Sequence, residues 1–195
     1  LRPGPAIRDF LSGKRKRYVN PISYLLLASA AYVLILHFLG LNTFFEDVTL
    51  GFAEGAADKN DSQASTSMFI QALNVVSKNH TYGLLLTLPL FALNSYLIFM
   101  REKYSYFEHL VINMYITGQQ MLIYLTAAFL VVKDTFTEAI PLPLGMAFNC
   151  VVLYQIFTSY PPVTRILYSI ATYLLFYVQI FLLALIVAVL LYVTK

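Results

Sequence analysis

The sequence predicts an all-α fold, a polytopic bundle of about five membrane-spanning helices, and three observations carry that expectation. Five apolar stretches, each close to the ~20 residues a helix needs to cross a bilayer, fill most of the 195 residues. Hydrophobic residues make up 59% of the chain. Charged residues make up 12%, roughly half the ~25% usual in soluble domains, which leaves too little charge to cover a water-exposed surface.

The first stretch, 22–41, follows the basic run Lys14-Arg15-Lys16-Arg17 and opens behind Pro21, whose missing amide costs nothing in a first helical turn. The second, 82–100, contains Pro89, where a kink is expected, and stops at Arg101-Glu102-Lys103. The third, 107–132, closes on Lys133-Asp134, and the fourth, 141–160, on Pro161-Pro162. The fifth, 166–193, is long enough to tilt or to protrude.

Residues 1–20 read as a basic amphipathic juxtamembrane segment ahead of one membrane domain, 21–195. Pro5 and Gly13 bracket a short helix with Ile7, Phe10 and Leu11 on one side and Arg8 and Asp9 on the other. Each basic residue beside an anionic leaflet contributes ~1 kcal/mol. Lys14, Arg15, Lys16 and Arg17, with Arg101 and Lys103, are therefore candidate contacts for anionic lipid headgroups or a partner protein; a simple topology anchor is the alternative. No domain-sized basic surface extends beyond this run, which argues against nucleic acid as a partner.

The sizeable non-spanning region is 42–80, expected on the external side as a loop and a helix. Asp58, Asn60 and Ser62 imitate the start of an EF-hand loop, but Gln63 and Phe69 stand where that loop needs Gly and Glu, so calcium binding by that motif is rejected. Met68, Phe69, Ala72, Leu73 and Val76 recur at helical spacing, with Ser65 or Ser67 as a cap. This helix either lies on the membrane or, in the favoured reading, continues into the second span.

Five spans put the two ends on opposite sides. With the N-terminus cytoplasmic, that side collects Arg2, Arg8, Lys14, Arg15, Lys16, Arg17, Arg101, Lys103 and Arg165, against Lys59, Lys78, Lys133 and Lys195 outside. This asymmetry follows the positive-inside rule and sends the C-terminus outward. Tyr18, Tyr24, Tyr82, Tyr104, Tyr106 and Tyr160 are placed for an interfacial aromatic belt.

Ionisable and amide side chains inside spans are costly and mark candidate sites. The densest group is Glu108, His109, Asn113, Gln119 and Gln120, with His109, Asn113 and Gln120 on one helical face. Glu108 and His109 form a candidate proton-handling pair. The competing reading is structural: Glu108 caps the helix and pairs with Arg101 or Lys103. His37 could meet water at the outer end of the first span, while Asn94, Asn149, Gln155 and Gln179 are candidates for hydrogen bonds between helices. The lone Cys150 permits no internal disulfide and no cysteine-based zinc site. HExxH, GxSxG and phosphate-loop motifs are absent from the sequence, and no metal or cofactor is expected. The chain opens on Leu1, so sequence upstream of it is expected.

Two stretches carry a family resemblance. Residues 3–21, PGPAIRDFLSGKRKRYVNP, and residues 106–113, YFEHLVIN, resemble in order and spacing the signatures of domain of unknown function 3667, a bacterial membrane family common in Bacteroidetes. The resemblance implies an inner-membrane protein of a Gram-negative bacterium and draws attention to Glu108 and His109; it implies no activity. The family's upstream cysteine-rich, zinc-ribbon-like segment is either absent here or precedes Leu1. Three functional expectations follow: a non-enzymatic subunit or accessory of a larger membrane assembly; a small transporter, channel or lipid-handling protein with an intramembrane polar path; and, third, a lipid-headgroup enzyme. The partners expected are the bilayer, its anionic headgroups and other membrane proteins.

Overall fold

A computed structural model describes residues 3–43, 46–47, 50, 80–130 and 141–193. Among them the chain is helical, with no strand: α1 (Pro3–Leu11), a 3-10 turn (Arg15–Arg17), α2 (Pro21–Leu39), α3 (His80–Ile98), α4 (Tyr106–Leu130), α5 (Pro141–Ile156) and α6 (Pro162–Val193). The stretch from Asp58 to Ser62, for which calcium binding is rejected above, and the helix expected to continue back from the second span fall outside the described residues.

Local chemistry sets the helix ends. Asn20 caps α2, its side-chain oxygen accepting from Ile22 N at 3.0 Å, with Pro21 in the first turn as the sequence suggests. At the other end Gly40 adopts φ 64°, and Leu41 N closes on Leu36 O at 3.0 Å, a Schellman arrangement that satisfies the last carbonyls. α3 runs through Pro89 to Ile98. The fourth apolar stretch, α5, ends at Ile156 rather than 160, and the fifth, α6, begins at Pro162 rather than 166. Pro161-Pro162 explains both shifts: the residue before a proline avoids helical backbone, while Pro162 suits a first turn. Arg165 then reaches back to the carbonyls of Tyr160 (2.6 Å) and Thr158 (2.9 Å), holding the connecting turn.

α4 is the central helix, packed on α2, α3 and α5, and α6 closes the bundle against α3 and α5. Two apolar clusters result. One joins Leu25, Ala28, Tyr32 and Leu36 of α2 to Leu84 and Leu88 of α3 and Met121 of α4. The other joins Phe99, Ile112, Ile116, Val152, Leu153, Ile156, Phe157 and Tyr160 to Ile7 of α1. The apolar side of α1 thus packs against the bundle, and Gly4 N donates to Gln155 Oε1 at 3.1 Å.

Three segments meet at this end. Arg101 N donates to Tyr160 Oη at 3.0 Å, and Glu102 accepts from both Ser159 N and Ser159 Oγ at 2.9 Å. The 99–105 turn, the 157–161 turn and the N-terminal segment therefore share one end of the bundle, which carries the basic run, Arg101, Lys103 and Arg165.

Among the described residues one helical stretch, Arg15–Leu39, is long and apolar enough to cross a membrane, with mean hydropathy 2.0. Shorter apolar stretches occupy Leu86–Ile98 and Pro143–Ile156. This is fewer than the five spans expected from the sequence. Asn113, Gln119 and Gln120 dilute the apolar character of α4, and α5 is only 16 residues long.

Candidate functional site

The first turns of α4 organise the site. Ser105 and Glu108 form a capping box: Ser105 N and Oγ donate to Glu108 Oε2 at 2.7 and 2.9 Å, and Glu108 N donates back to Ser105 Oγ at 3.4 Å. The expected capping role of Glu108 is therefore present. The expected ion pair with Arg101 or Lys103 is not formed among the described residues, where the one ion pair joins Lys14 Nζ to Asp9 Oδ1 at 2.8 Å.

One residue further, the ~100° helical step turns His109 into the interior. It is fully buried, its ring stacked on Phe157 at 5.2 Å and met edge-on by Tyr96 and Tyr104. His109 Nδ1 lies 3.0 Å from Ser95 Oγ on α3. Asn113 Nδ2 donates to the same oxygen at 3.0 Å and to His109 O at 2.8 Å, while Ser95 Oγ donates to Ala92 O at 3.1 Å. A serine hydroxyl has one proton and two lone pairs. With its proton on Ala92 O, both nitrogens must donate to it, which assigns the His109 proton to Nδ1. His109 Nε2 then faces the aromatic box with no hydrogen-bond partner among the described residues.

His109 and Glu108 consequently serve different partners and share no hydrogen bond. The serine–imidazole contact is equally committed: the hydroxyl proton is engaged and the pair is sealed from outside. Its chemistry is that of an interhelical polar knot joining α3 to α4.

The remaining candidates spread outward. Gln119 accepts from Tyr24 Oη of α2 at 2.8 Å. Gln120 is buried and donates to Gly145 O of α5 and Tyr173 Oη of α6, each at 2.9 Å. Asn113 and His109 are brought together; Gln119 and Gln120 bond to separate neighbours. Asn94 and Gln179 form a reciprocal amide pair at 3.0 and 2.8 Å between α3 and α6, and Gln155 holds α1, so three of the four residues singled out for bonds between elements make them. Asn149 Oδ1 is buried without a partner among the described residues, and His37 is exposed. Sequence reasoning did not single out Ser95; the available signal was a second polar residue beside Asn94 in an apolar helix. Tyr24, expected as an interfacial anchor, bonds Gln119, and Tyr173, which the sequence does not mark, bonds Gln120. Tyr160, also expected in the interfacial belt, is buried.

At the basic end, Lys14 and Asp9 support each other. The Lys14 hydrogen bond holds the Asp9 carboxyl below its ordinary value, and the same bond raises Lys14. Arg15 lies over the Phe10 ring at 5.9 Å, while Lys16 and Arg17 are exposed, as are Arg101 and Lys103. Between α1, the 3-10 turn, the start of α2 and the start of α4 lies an open cavity of about 550 Å³. Arg15, Tyr18, Asn20 and Glu108 line its polar part, and Phe10, Leu11, Ile22, Phe107, Leu110, Val111 and Met114 are among its apolar walls. Among the described residues no group of three or more His, Cys, Asp or Glu side chains could hold a metal ion.

These features define a helical bundle with an N-terminal helix docked on its basic end. A family model described as a protein of unknown function (DUF3667) matches residues 1–33, and the chain resembles that family through this segment. No curated protein and no solved structure matches the chain.

Proposed function

We propose that the chain is a five-span integral membrane protein, its basic end at the cytoplasmic face of a bacterial inner membrane, serving as a non-enzymatic subunit or accessory of a larger membrane assembly. The observation that carries this reading is an inverted surface. Leu27 is 68% exposed, Phe38 78% and Phe107 74%, while Asn94, Ser95 and His109 are fully buried. In water such an apolar exterior would mark an aggregation-prone or partner-seeking surface. In lipid it is the ordinary exterior, and polar side chains turn inward to bond one another. The 19 residues of α2 and of α3 reach roughly 28 Å at 1.5 Å per residue, near the ~30 Å of a hydrocarbon core. The clustering of the basic run, Arg101, Lys103 and Arg165 at one end supports the cytoplasmic assignment.

The accessory role draws on the polar side chains that join helices: Ser95 with His109 and Asn113, Asn94 with Gln179, and Gln120 with Gly145 O and Tyr173 act as bonds between them. Purification of the tagged chain from native membranes in mild detergent, with mass-spectrometric identification of co-purifying proteins, tests it. A stoichiometric membrane partner is expected; a chain reproducibly alone contradicts the accessory role. A second reading, lipid handling, is favoured by one observation, the open cavity beside Arg15 and Glu108.

A further inference from the structure

The cavity at the basic end has walls of two kinds. Ile22, Phe107, Leu110, Val111 and Met114 form an apolar floor, continuous with the exposed apolar surface of α2 and α4 through Ile22 and Phe107. Its polar part holds two opposite charges, Arg15 and Glu108, which form no ion pair with each other. Arg15 rests over Phe10, at the side of the cavity formed by the N-terminal segment. Glu108 takes both Ser105 bonds on Oε2, which leaves Oε1 for another donor.

We propose that this groove seats one phospholipid bearing a primary ammonium group, with its phosphate on Arg15, its ammonium on Glu108 and an acyl chain along Ile22, Leu110, Val111 and Met114. The inference rests on the membrane reading above and names the ligand of its basic end. Charge complementarity selects the headgroup. A phosphate is matched by a guanidinium, which binds it with paired N–H donors. A purely anionic headgroup would leave the Glu108 carboxylate facing negative charge. A choline headgroup carries the right charge but no N–H to donate to Glu108. A primary ammonium supplies three donors and matches the carboxylate.

The test uses the full chain in nanodiscs holding equal amounts of phosphatidylethanolamine, phosphatidylcholine and phosphatidylglycerol, followed by native mass spectrometry of the lipid retained on mild extraction. Phosphatidylethanolamine is expected to be enriched over phosphatidylcholine about fivefold, the upper range for a partly exposed ion pair. E108Q keeps the capping box, since glutamine serves it as well as glutamate, and is expected to abolish the preference. R15Q is expected to lower retention of all three lipids. Lipid retained in the proportions supplied, a preference for phosphatidylglycerol, or an ethanolamine preference that survives E108Q overturns the inference while leaving the membrane reading intact. A chain that does not enter nanodiscs overturns both.

Discussion

Ser95→Ala is the most informative single change in the bundle. Ser95 Oγ accepts from His109 Nδ1 and Asn113 Nδ2 at 3.0 Å each. The substitution strands the imidazole N–H and one of the two amide N–H groups of Asn113, whose other N–H keeps His109 O at 2.8 Å. A buried donor left unpaired costs about 1–3 kcal/mol. Measured couplings within membrane bundles average only ~0.6 and reach ~1.7 kcal/mol, because the unfolded chain in lipid also finds partners. Ser95→Ala is therefore expected to destabilise by about 1–2 kcal/mol, toward the lower end of the buried-donor range. Helical circular dichroism during detergent-driven unfolding in mixed micelles reads the effect, and a double-mutant cycle with His109→Leu isolates the pair. Coupling of about 0.5 kcal/mol or more is expected for groups in contact. A neutral Ser95→Ala together with strict additivity in the cycle would refute both the tautomer assignment and the knot.

Three other outcomes follow from named contacts. Glu108→Ala removes the capping box and is expected to cost about 1 kcal/mol in thermal stability, with Glu108→Gln close to wild type; equal losses from both would contradict the cap. A side chain at Gly4 would overlap Gln155 Cβ, so Gly4→Leu should undock α1 and speed tryptic cleavage at Lys14–Arg17; unchanged cleavage would mean that α1 is not held there. The Asp9–Lys14 pair has a defined pH window. Asp9 lies below its ordinary 3.8, so its contribution is present above that pH and fades as pH falls through the lowered value. Lys14 lies above 10.5, so its contribution is complete below that pH and is lost as pH rises through the raised value. Cleavage at the basic run, assayed by brief pH exposure and return to neutral conditions with protease present only during exposure and matched for its own activity, should be flat between about pH 5 and 9, outside which linkage weakens the pair; a change centred within that window would contradict the pairing.

Much of the helical order was legible because apolar length and punctuation act locally. Asn20-Pro21 marks the start of α2, and Glu108 announces the cap of α4. Amide residues in apolar stretches were legible as bonds between helices, and Asn94–Gln179 is one. Which neighbour each would meet was not, because that depends on packing. Gln119 and Gln120 are adjacent, yet one helical step separates the α2 side from the α5–α6 side. The docking of α1 was also hidden: a short amphipathic helix reads the same whether its apolar side meets lipid or protein, and only Ile7 and Gly4 against the α5 end decide it. Ser95 carries only a weak signal for a related reason: its place beside Asn94 marks a polar spot in an apolar run, but its role comes from the imidazole opposite.

The central claim, a five-span chain with its basic end in the cytoplasm, is tested most directly by cysteine accessibility. On a Cys150→Ala background, Lys16→Cys, Lys103→Cys, Asp58→Cys and Asp134→Cys are introduced one at a time, and intact cells with a permeabilised outer membrane are treated with a membrane-impermeant maleimide. Cysteines at 58 and 134 are predicted to label at once, and those at 16 and 103 only after the inner membrane is opened. Labelling of 16 or 103 in sealed cells, or protection of 58 and 134, would contradict the account.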